Sequence, residues 1–157
     1  MKIMVFSDSH GNVDNMVRAV ERERGGAPDL LIHLGDGWRD AEALHERFPQ
    51  LPLEQVPGNC DLGRFEERER LLLLGDFRIM ICHGHTLGVK SSLLRAQLTA
   101  RERGADALLF GHTHVPYIDF HEGVWLVNPG SIGDPRQPCF NVITAEDGRL
   151  SPEGRSL

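Results

Sequence analysis

The residues best suited to chemistry in this chain are histidines, carboxylates and an asparagine that directly follow short apolar runs. Gly111-His112-Thr113-His114 follows the apolar run 107–110 and places two imidazoles one residue apart. The same succession of apolar run and polar residue places five further side chains: Asp8, His10, Asp36, Asn59 and His83. Imidazole, carboxylate and amide oxygen bind divalent transition metals, so the pattern predicts strand ends that carry metal ligands.

The order of the elements predicts how these residues meet. Apolar runs at 2–6, 30–34 and 53–56 alternate with two segments of helical spacing, which are marked by Val13, Met16, Val17 and Val20 and by Ala41, Leu44 and Phe48. This β-α-β-α-β order predicts a parallel sheet with right-handed crossovers. Because loops at the carboxyl ends of parallel strands share one edge of the sheet, we expect the seven polar residues to converge there.

The second half of the chain is richer in hairpins. Gly75-Asp76 separates the apolar runs 71–74 and 77–82, which predicts a tight turn between antiparallel strands. Glu122-Gly123 separates the runs 117–121 and 124–127 in the same way.

Helix ends and the last strand follow from local signals. The first helix is expected to end at Gly25-Gly26, and the third to run from a capping Ser91 to Arg103. The last clear strand is 140–145, and a polar tail follows at 146–157. About nine strands and three helices suit two packed sheets with helices outside better than one crowded sheet.

Composition excludes several classes of protein. The 157 residues are 40% hydrophobic and 25% charged, as expected for one globular domain spanning 1–157. No apolar run approaches the ~20 residues that span a bilayer, and the start of the chain is too short for a signal peptide. We therefore expect a cytoplasmic location without membrane contact. A net charge of -6 gives no general attraction to nucleic acid.

Seven ligands exceed what one tetrahedral zinc ion needs, and they suit two ions that share a carboxylate. Asp36 stands alone in its loop and is the natural bridge. Two ions about 3.5–4 Å apart can hold a hydroxide and clamp a phosphoryl oxygen. The three cysteines have no paired spacing, and this chemistry requires no thiolate.

Five short motifs occur in the order of a known family: Asp8-x-His10, Gly35-Asp36, Gly58-Asn59, His83-Gly84-His85 and Gly111-His112-x-His114. Together they resemble the motifs of the calcineurin-like metallophosphoesterase superfamily. Asn128-Pro129-Gly130-Ser131 and the short length resemble its small single-domain phosphodiesterase branch. The resemblance extends from Lys2 to about Ala145.

This resemblance implies an α/β fold with four layers, α/β/β/α, in which two mixed sheets are flanked by helices. It also implies two divalent ions, with manganese favoured over nickel, iron, zinc and cobalt. The implied ligand sets are Asp8, His10, Asp36 and His114 for one ion, and Asp36, Asn59, His83 and His112 for the other. The implied reaction is hydrolysis of a small phosphodiester by a hydroxide held between the two ions.

One position departs from the superfamily pattern. Many members carry a histidine directly after the Gly-Asn pair, where it is thought to protonate the leaving group, and here that residue is Cys60. A thiol can donate a proton, but it hydrogen-bonds weakly. The catalytic candidates are therefore Asn59, Cys60 and His85, with His85 expected to contact the substrate or to orient a ligand.

Two other functions stay open at this point. The superfamily includes a non-catalytic scaffold subunit of a membrane-trafficking complex, so a protein-interaction module is the first alternative. A nuclease of the same superfamily is the second, and the acidic charge disfavours it. The sequence leaves open whether the chain forms a homodimer or a higher homo-oligomer.

Overall fold

The computed structural model describes residues 1–23 and 26–157, which contain ten strands and three α-helices. The helices are α1 (Val13–Arg22), α2 (Trp38–Arg47) and α3 (Leu94–Glu102). The strands are β1 (Lys2–Phe6), β2 (Leu30–His33), β3 (Leu53–Gln55), β4 (Glu69–Leu74), β5 (Phe77–Cys82), β6 (Ala107–Leu109), β7 (Tyr117–His121), β8 (Val124–Asn128), β9 (Cys139–Glu146) and β10 (Arg149–Ser156). A short 3₁₀ helix lies at His85–Leu87.

The first sheet has the strand order β10-β9-β1-β2-β3. Its three strands β1, β2 and β3 are parallel, as the β-α-β-α-β order predicts, and β9 and β10 are antiparallel additions at one side. The central strand β1 is buried on both faces, because residues from Ile3 to Phe6 alternate between two apolar layers.

The second sheet has the order β4-β5-β6-β8-β7. Its centre is parallel, with β6 between β5 and β8. Both predicted hairpins are confirmed, since β4 pairs with β5 and β7 pairs with β8 in antiparallel register. The carboxyl ends of β5 and β6 therefore open toward the same edge of this sheet.

Three apolar layers hold the sheets and helices together. The middle layer joins the two sheets and includes Val5 and Ile81. The outer face of the first sheet packs against α1 and α2 through Met16 and Leu44. The outer face of the second packs against α3 through Ala96. The four-layer α/β/β/α arrangement is thus confirmed.

The C-terminal segment differs from the prediction. Residues 149–156, taken from sequence as part of a polar tail, form β10 and pair with the whole length of β9. The segment lies at a sheet edge and buries Leu150 with few other apolar side chains, so its sequence lacks the alternation that marks a strand. Its Pro152 is tolerated because edge strands need not donate on both sides.

Two helix ends also differ. The third helix begins at Leu94 rather than at Ser91, and the Oγ of Ser92 accepts the Leu94 amide. The first helix ends at Arg22, and Gly25, one of the two glycines predicted to end it, lies outside the described residues. In the part of the chain that the structure describes, no helix is long and apolar enough to cross a membrane. The cytoplasmic location stays a prediction.

Candidate metal centre

Five loops bring the predicted ligands to one place. The loops follow β1, β2, β3, β5 and β6, and each leaves its strand at the carboxyl end. They carry, in chain order, Asp8 and His10, Asp36, Asn59, His83, and the pair His112 and His114. All seven side chains lie in one connected cluster. The carboxyl ends of the parallel strands in both sheets therefore position these side chains, as the parallel order predicts.

A first group of ligand atoms surrounds one oxygen of Asp8. The Oδ1 atom of Asp8 lies 3.1 Å from Nε2 of His114 and 3.8 Å from Nε2 of His10. The two imidazole Nε2 atoms are 3.3 Å apart. Oδ2 of Asp36 lies 3.8 Å from Nε2 of His10.

A second group surrounds the ring of His83. Its Nε2 lies 3.0 Å from Oδ1 of Asn59, 3.2 Å from Nδ1 of His112 and 3.4 Å from Oδ2 of Asp36. The two histidines of the Gly-His-Thr-His segment thus point to different groups, His112 to this one and His114 to the first.

Asp36 belongs to both groups through a single oxygen. Its Oδ2 faces His10 and His83, while its Oδ1 accepts the Cys60 amide at 2.8 Å. Burial would raise the pKa of Asp36, but the contacts with His83 and Cys60 outweigh burial and hold that pKa well below its ordinary value. Asp36 therefore remains an anion between the two groups.

Asp8 carries the clearest sign that a cation belongs here. Its Oδ2 accepts the Ser7 hydroxyl at 2.5 Å and the His112 amide at 3.1 Å. Its Oδ1 is buried and has no hydrogen-bond partner among the described residues. A buried carboxylate oxygen without a partner is costly, and a metal ion removes that cost. The donor set of the cluster therefore fits divalent metal ions.

The ring of His83 is held in the tautomer that a metal ligand needs. Its Nδ1 donates to the Leu34 carbonyl at 2.7 Å, so that Nε2 faces the cluster. Burial lowers the pKa of His83, but Asp36 and Asp8 raise it more, and that pKa lies above its ordinary value. The surroundings of this ring favour positive charge.

Backbone strain is concentrated at the same residues. Five predicted ligands have left-handed backbone geometry, with φ between 45° and 69°: Asp8, His10, Asp36, His112 and His114. The two other non-glycine residues of this kind in the described chain, Glu122 and Asp147, lie in hairpin turns. Such geometry costs of order 1 kcal/mol or more per residue and is typical of functional sites.

Asp61 holds two ligand loops together, which the sequence did not establish. Its Oδ2 accepts the amides of Asp36 and Gly58, both at 2.8 Å. Its Oδ1 accepts the amides of Gly37 at 3.1 Å and Trp38 at 2.9 Å. The carboxylate thus reaches across 25 positions to Asp36 and orients the backbone of a predicted ligand.

A second support lies under the loop of His10. Nδ1 of the buried His33 accepts the Gly35 amide at 3.2 Å, so its Nε2 carries the proton toward Ser9 Oγ at 3.0 Å. Ser9 donates to Asp40 at 2.6 Å, and Asp40 also accepts the Gly11 amide at 2.8 Å. Burial lowers the pKa of His33 to about 4, which keeps its ring neutral at pH 7.

The Asn-Pro-Gly-Ser turn supports the loops that follow β6 and β1. Asn128 Nδ2 donates to the Gly111 carbonyl and to Thr113 Oγ1, each at 3.0 Å, and so holds the segment of the two histidines. Ser131 Oγ donates to the Asp8 carbonyl at 2.8 Å. In the sequence, these supporting residues are marked only by their position next to a predicted ligand or within a motif of the family.

Glycine allows two of the loops to touch. A Cβ atom at Gly58 would overlap Oδ1 and the backbone nitrogen of Asp36. The loops of Asn59 and Asp36 therefore approach as closely as they do only because residue 58 has no side chain.

The remaining catalytic candidates lie at the rim of the cluster. Cys60 is exposed, and burial and Asp36 raise the pKa of its thiol. The ring of His85 is centred 5.4 Å from that of His83, and its Nδ1 is buried with no hydrogen-bond partner among the described residues. Burial and His83 lower the pKa of His85, so it is neutral at pH 7.

Comparison with known sequences gives a consistent result. The model of the calcineurin-like phosphoesterase superfamily domain matches residues 1–148. The probable metallophosphoesterase YsnB of Bacillus subtilis is 37% identical over 151 residues, covering 94% of this chain and 86% of that protein. The phosphodiesterase YfcE of Escherichia coli is 29% identical over 161 residues, covering 87% of this chain and 82% of that protein.

Solved structures share the fold. A Streptococcus pneumoniae protein described as an uncharacterized predicted phosphoesterase superposes with a TM-score of 0.82 at 27% identity, covering 99% of this chain and 88% of that chain. Vps29 of Entamoeba histolytica superposes with a TM-score of 0.76 at 19% identity, covering 100% of this chain and 99% of that chain. The second likeness, at this identity, concerns the fold alone.

Proposed function

Because this chain belongs to the calcineurin-like phosphoesterase superfamily, we propose that it is a phosphodiesterase that uses two divalent metal ions. The observation that carries the proposal is the single oxygen of Asp36 that faces both groups of ligand atoms. A phosphodiesterase among its relatives supports the reaction class.

The proposed ligands divide as the two groups of atoms do. One ion would be held by Asp8, His10, Asp36 and His114, and the other by Asp36, Asn59, His83 and His112. Bound there, the ions would lower the pKa of water from ~15.7 toward about 7 and neutralise charge on the phosphoryl oxygens. Manganese is the favoured metal, and nickel, iron, zinc and cobalt suit the same donor set.

The exposure of the ligand side chains indicates the side from which a substrate can reach the cluster. Asp8 and His83 are fully buried, whereas the side chains of His10 and His114 are 39% and 46% exposed. Asn59 of the second group is exposed as well, so we expect the phosphoryl group to approach from the side on which His10, His114 and Asn59 reach solvent. The fixed loops keep the ligand atoms in place before the substrate binds, which lowers the cost of reorganisation during reaction.

We expect manganese-loaded protein to contain about two ions per chain by elemental analysis. The variant His83→Ala should retain about one, because it removes a central atom of the second group only. His121→Ala, an exposed histidine outside the cluster, serves as control. One ion per chain in the native protein would contradict the two-metal proposal.

The leaving group requires a proton, and Cys60 and His85 are the candidates at the rim. We expect Cys60→His to raise turnover of an alkyl phosphodiester by up to about 100-fold, since a general acid matters most for poor leaving groups. The gain for a nitrophenyl diester should be small. The effect is measured as the turnover of both substrates by Cys60→His and by Cys60→Ser. If Cys60→His raised turnover equally for both substrates, residue 60 would have no role as the general acid.

A protein-interaction role is the second candidate, and an exposed apolar surface favours it. Tyr117, Ile118 and Phe120 are exposed on β7 at the edge of the second sheet. In cells that contain only a variant chain, this role predicts that Phe120→Ser removes the function and Asp36→Asn does not. The phosphodiesterase proposal predicts the reverse.

A further inference from the structure

A cleft of about 390 Å³ opens directly beside the ligand cluster. His10, Asp36 and Cys60 of the cluster region line it together with Trp38 and Arg64. Its volume falls within the range of about 300–1,000 Å³ that is usual for ligand sites. We propose that this cleft binds a planar aromatic or heteroaromatic group of the substrate, which makes aryl or nucleoside phosphodiesters the substrate class. The inference rests on the proposed phosphodiesterase function.

Trp38 and Arg64 give the cleft a flat surface. The guanidinium carbon of Arg64 lies over the Trp38 ring, 5.1 Å from its centre, in a cation–π contact. Glu42 holds both, since it accepts Trp38 Nε1 at 2.9 Å and lies 3.8 Å from Arg64 Nη2. Aromatic rings and nucleobases stack on indole and guanidinium planes alike, and this pair is held in place before any ligand arrives.

The cleft is lined by charges of both signs. Arg64 is already paired with Glu42 and with Glu66, at 3.8 Å and 3.7 Å. Asp40 and Asp61 also line the cleft. Arg39 lines the cleft as well and makes no ion pair among the described residues, so charge alone does not select the ligand, and the preference for a ring rests on the surface formed by Trp38 and Arg64. The neighbouring Leu62, 89% exposed, adds apolar surface for a ring.

The flat surface and the cluster are tied to the same carboxylate. Asp61 accepts the backbone amides of both Trp38 and Asp36. Trp38 is also the first residue of α2, which packs on the first sheet through Leu44. A ring against Trp38 is therefore held at a fixed distance from the phosphoryl group near Asp36, which favours diesters whose ring is close to phosphorus.

Binding can be tested without any turnover. The chain has two tryptophans, so Trp125→Phe leaves Trp38 as the sole indole fluorophore. In manganese-loaded Trp125→Phe we expect adenosine 5′-monophosphate to quench this fluorescence saturably. Ribose 5-phosphate, which has the same phosphoryl group and no ring, should bind about 5- to 100-fold more weakly, the range of base–aromatic stacking. Equal affinities for the two compounds would overturn the inference.

Kinetics provide an independent test. Trp38→Leu should lower kcat/KM for a nitrophenyl or nucleoside diester about 5- to 100-fold and leave kcat/KM for a dialkyl diester unchanged. Trp125→Leu, on the other sheet, is the matched control, and circular dichroism melts establish that each variant is folded. Equal losses on aryl and alkyl diesters would overturn the inference while leaving the phosphodiesterase proposal standing. If no diester is hydrolysed, that proposal fails, and the fluorescence comparison still decides whether the cleft binds a ring.

Discussion

Asp36→Asn is expected to lower phosphodiester hydrolysis by at least about 100-fold while the protein remains folded. The substitution preserves size and keeps an oxygen that can accept the Cys60 amide. It removes the negative charge from an atom that lies 3.8 Å from Nε2 of His10 and 3.4 Å from Nε2 of His83. Since both ions would share that atom, the metal content should fall below that of His83→Ala, which affects one group only.

Asp106→Asn is the matched control. This aspartate accepts the Arg78 amide at 2.8 Å, just before β6 and therefore at the opposite end of that strand from His112. It should keep native activity and metal content. Assays with nitrophenyl diesters and elemental analysis of the same samples measure both quantities. Native turnover in Asp36→Asn would show that the two groups do not share this carboxylate in catalysis.

The arrangement of strands could be predicted from sequence because its causes are local. Runs such as 2–6 and 30–34 are apolar throughout, and their alternation with amphipathic segments permits few topologies other than a parallel sheet. The position of Asp8 and Asp36 at one edge then follows from geometry alone. The separate directions of His112 and His114 needed the family resemblance as well, since spacing does not indicate which group of atoms each ring faces.

Other features could not be predicted, because they depend on contacts between distant residues. The left-handed backbone of Asp8 and Asp36 is imposed by loop contacts, such as the Asp8 amide donating to the Gly35 carbonyl at 3.0 Å. Strand β10 exists because β9 offers it a full set of backbone partners, and its own side chains show no strand pattern. Sequence patterns record burial and local preference, and neither determines such contacts.

Asp61→Ala should be the most destabilising single substitution of an acidic residue outside the ligand set. It removes the acceptor of four backbone amides, at Asp36, Gly37, Trp38 and Gly58. Hydrogen bonds to a charged acceptor contribute about 1.5–3 kcal/mol each, and water can replace part of them at this half-buried position. We expect the free energy of unfolding to fall by about 2–4 kcal/mol, which lowers Tm by roughly 5–15 °C.

Metal content distinguishes this role from that of an ordinary turn. Asp134 also accepts two backbone amides, those of Arg136 and Gln137, but both lie in its own turn. Asp134→Ala should therefore lower Tm less and leave the bound metal unchanged, whereas Asp61→Ala should lose metal because the loops of Asp36 and Asn59 separate. Asp61→Asn retains one acceptor oxygen, so its Tm and metal content should lie between those of the native protein and those of Asp61→Ala. This variant keeps the comparison informative if the alanine variant does not fold. A native Tm and native metal content in both Asp61 variants would mean that the two loops are held by their glycine contact alone.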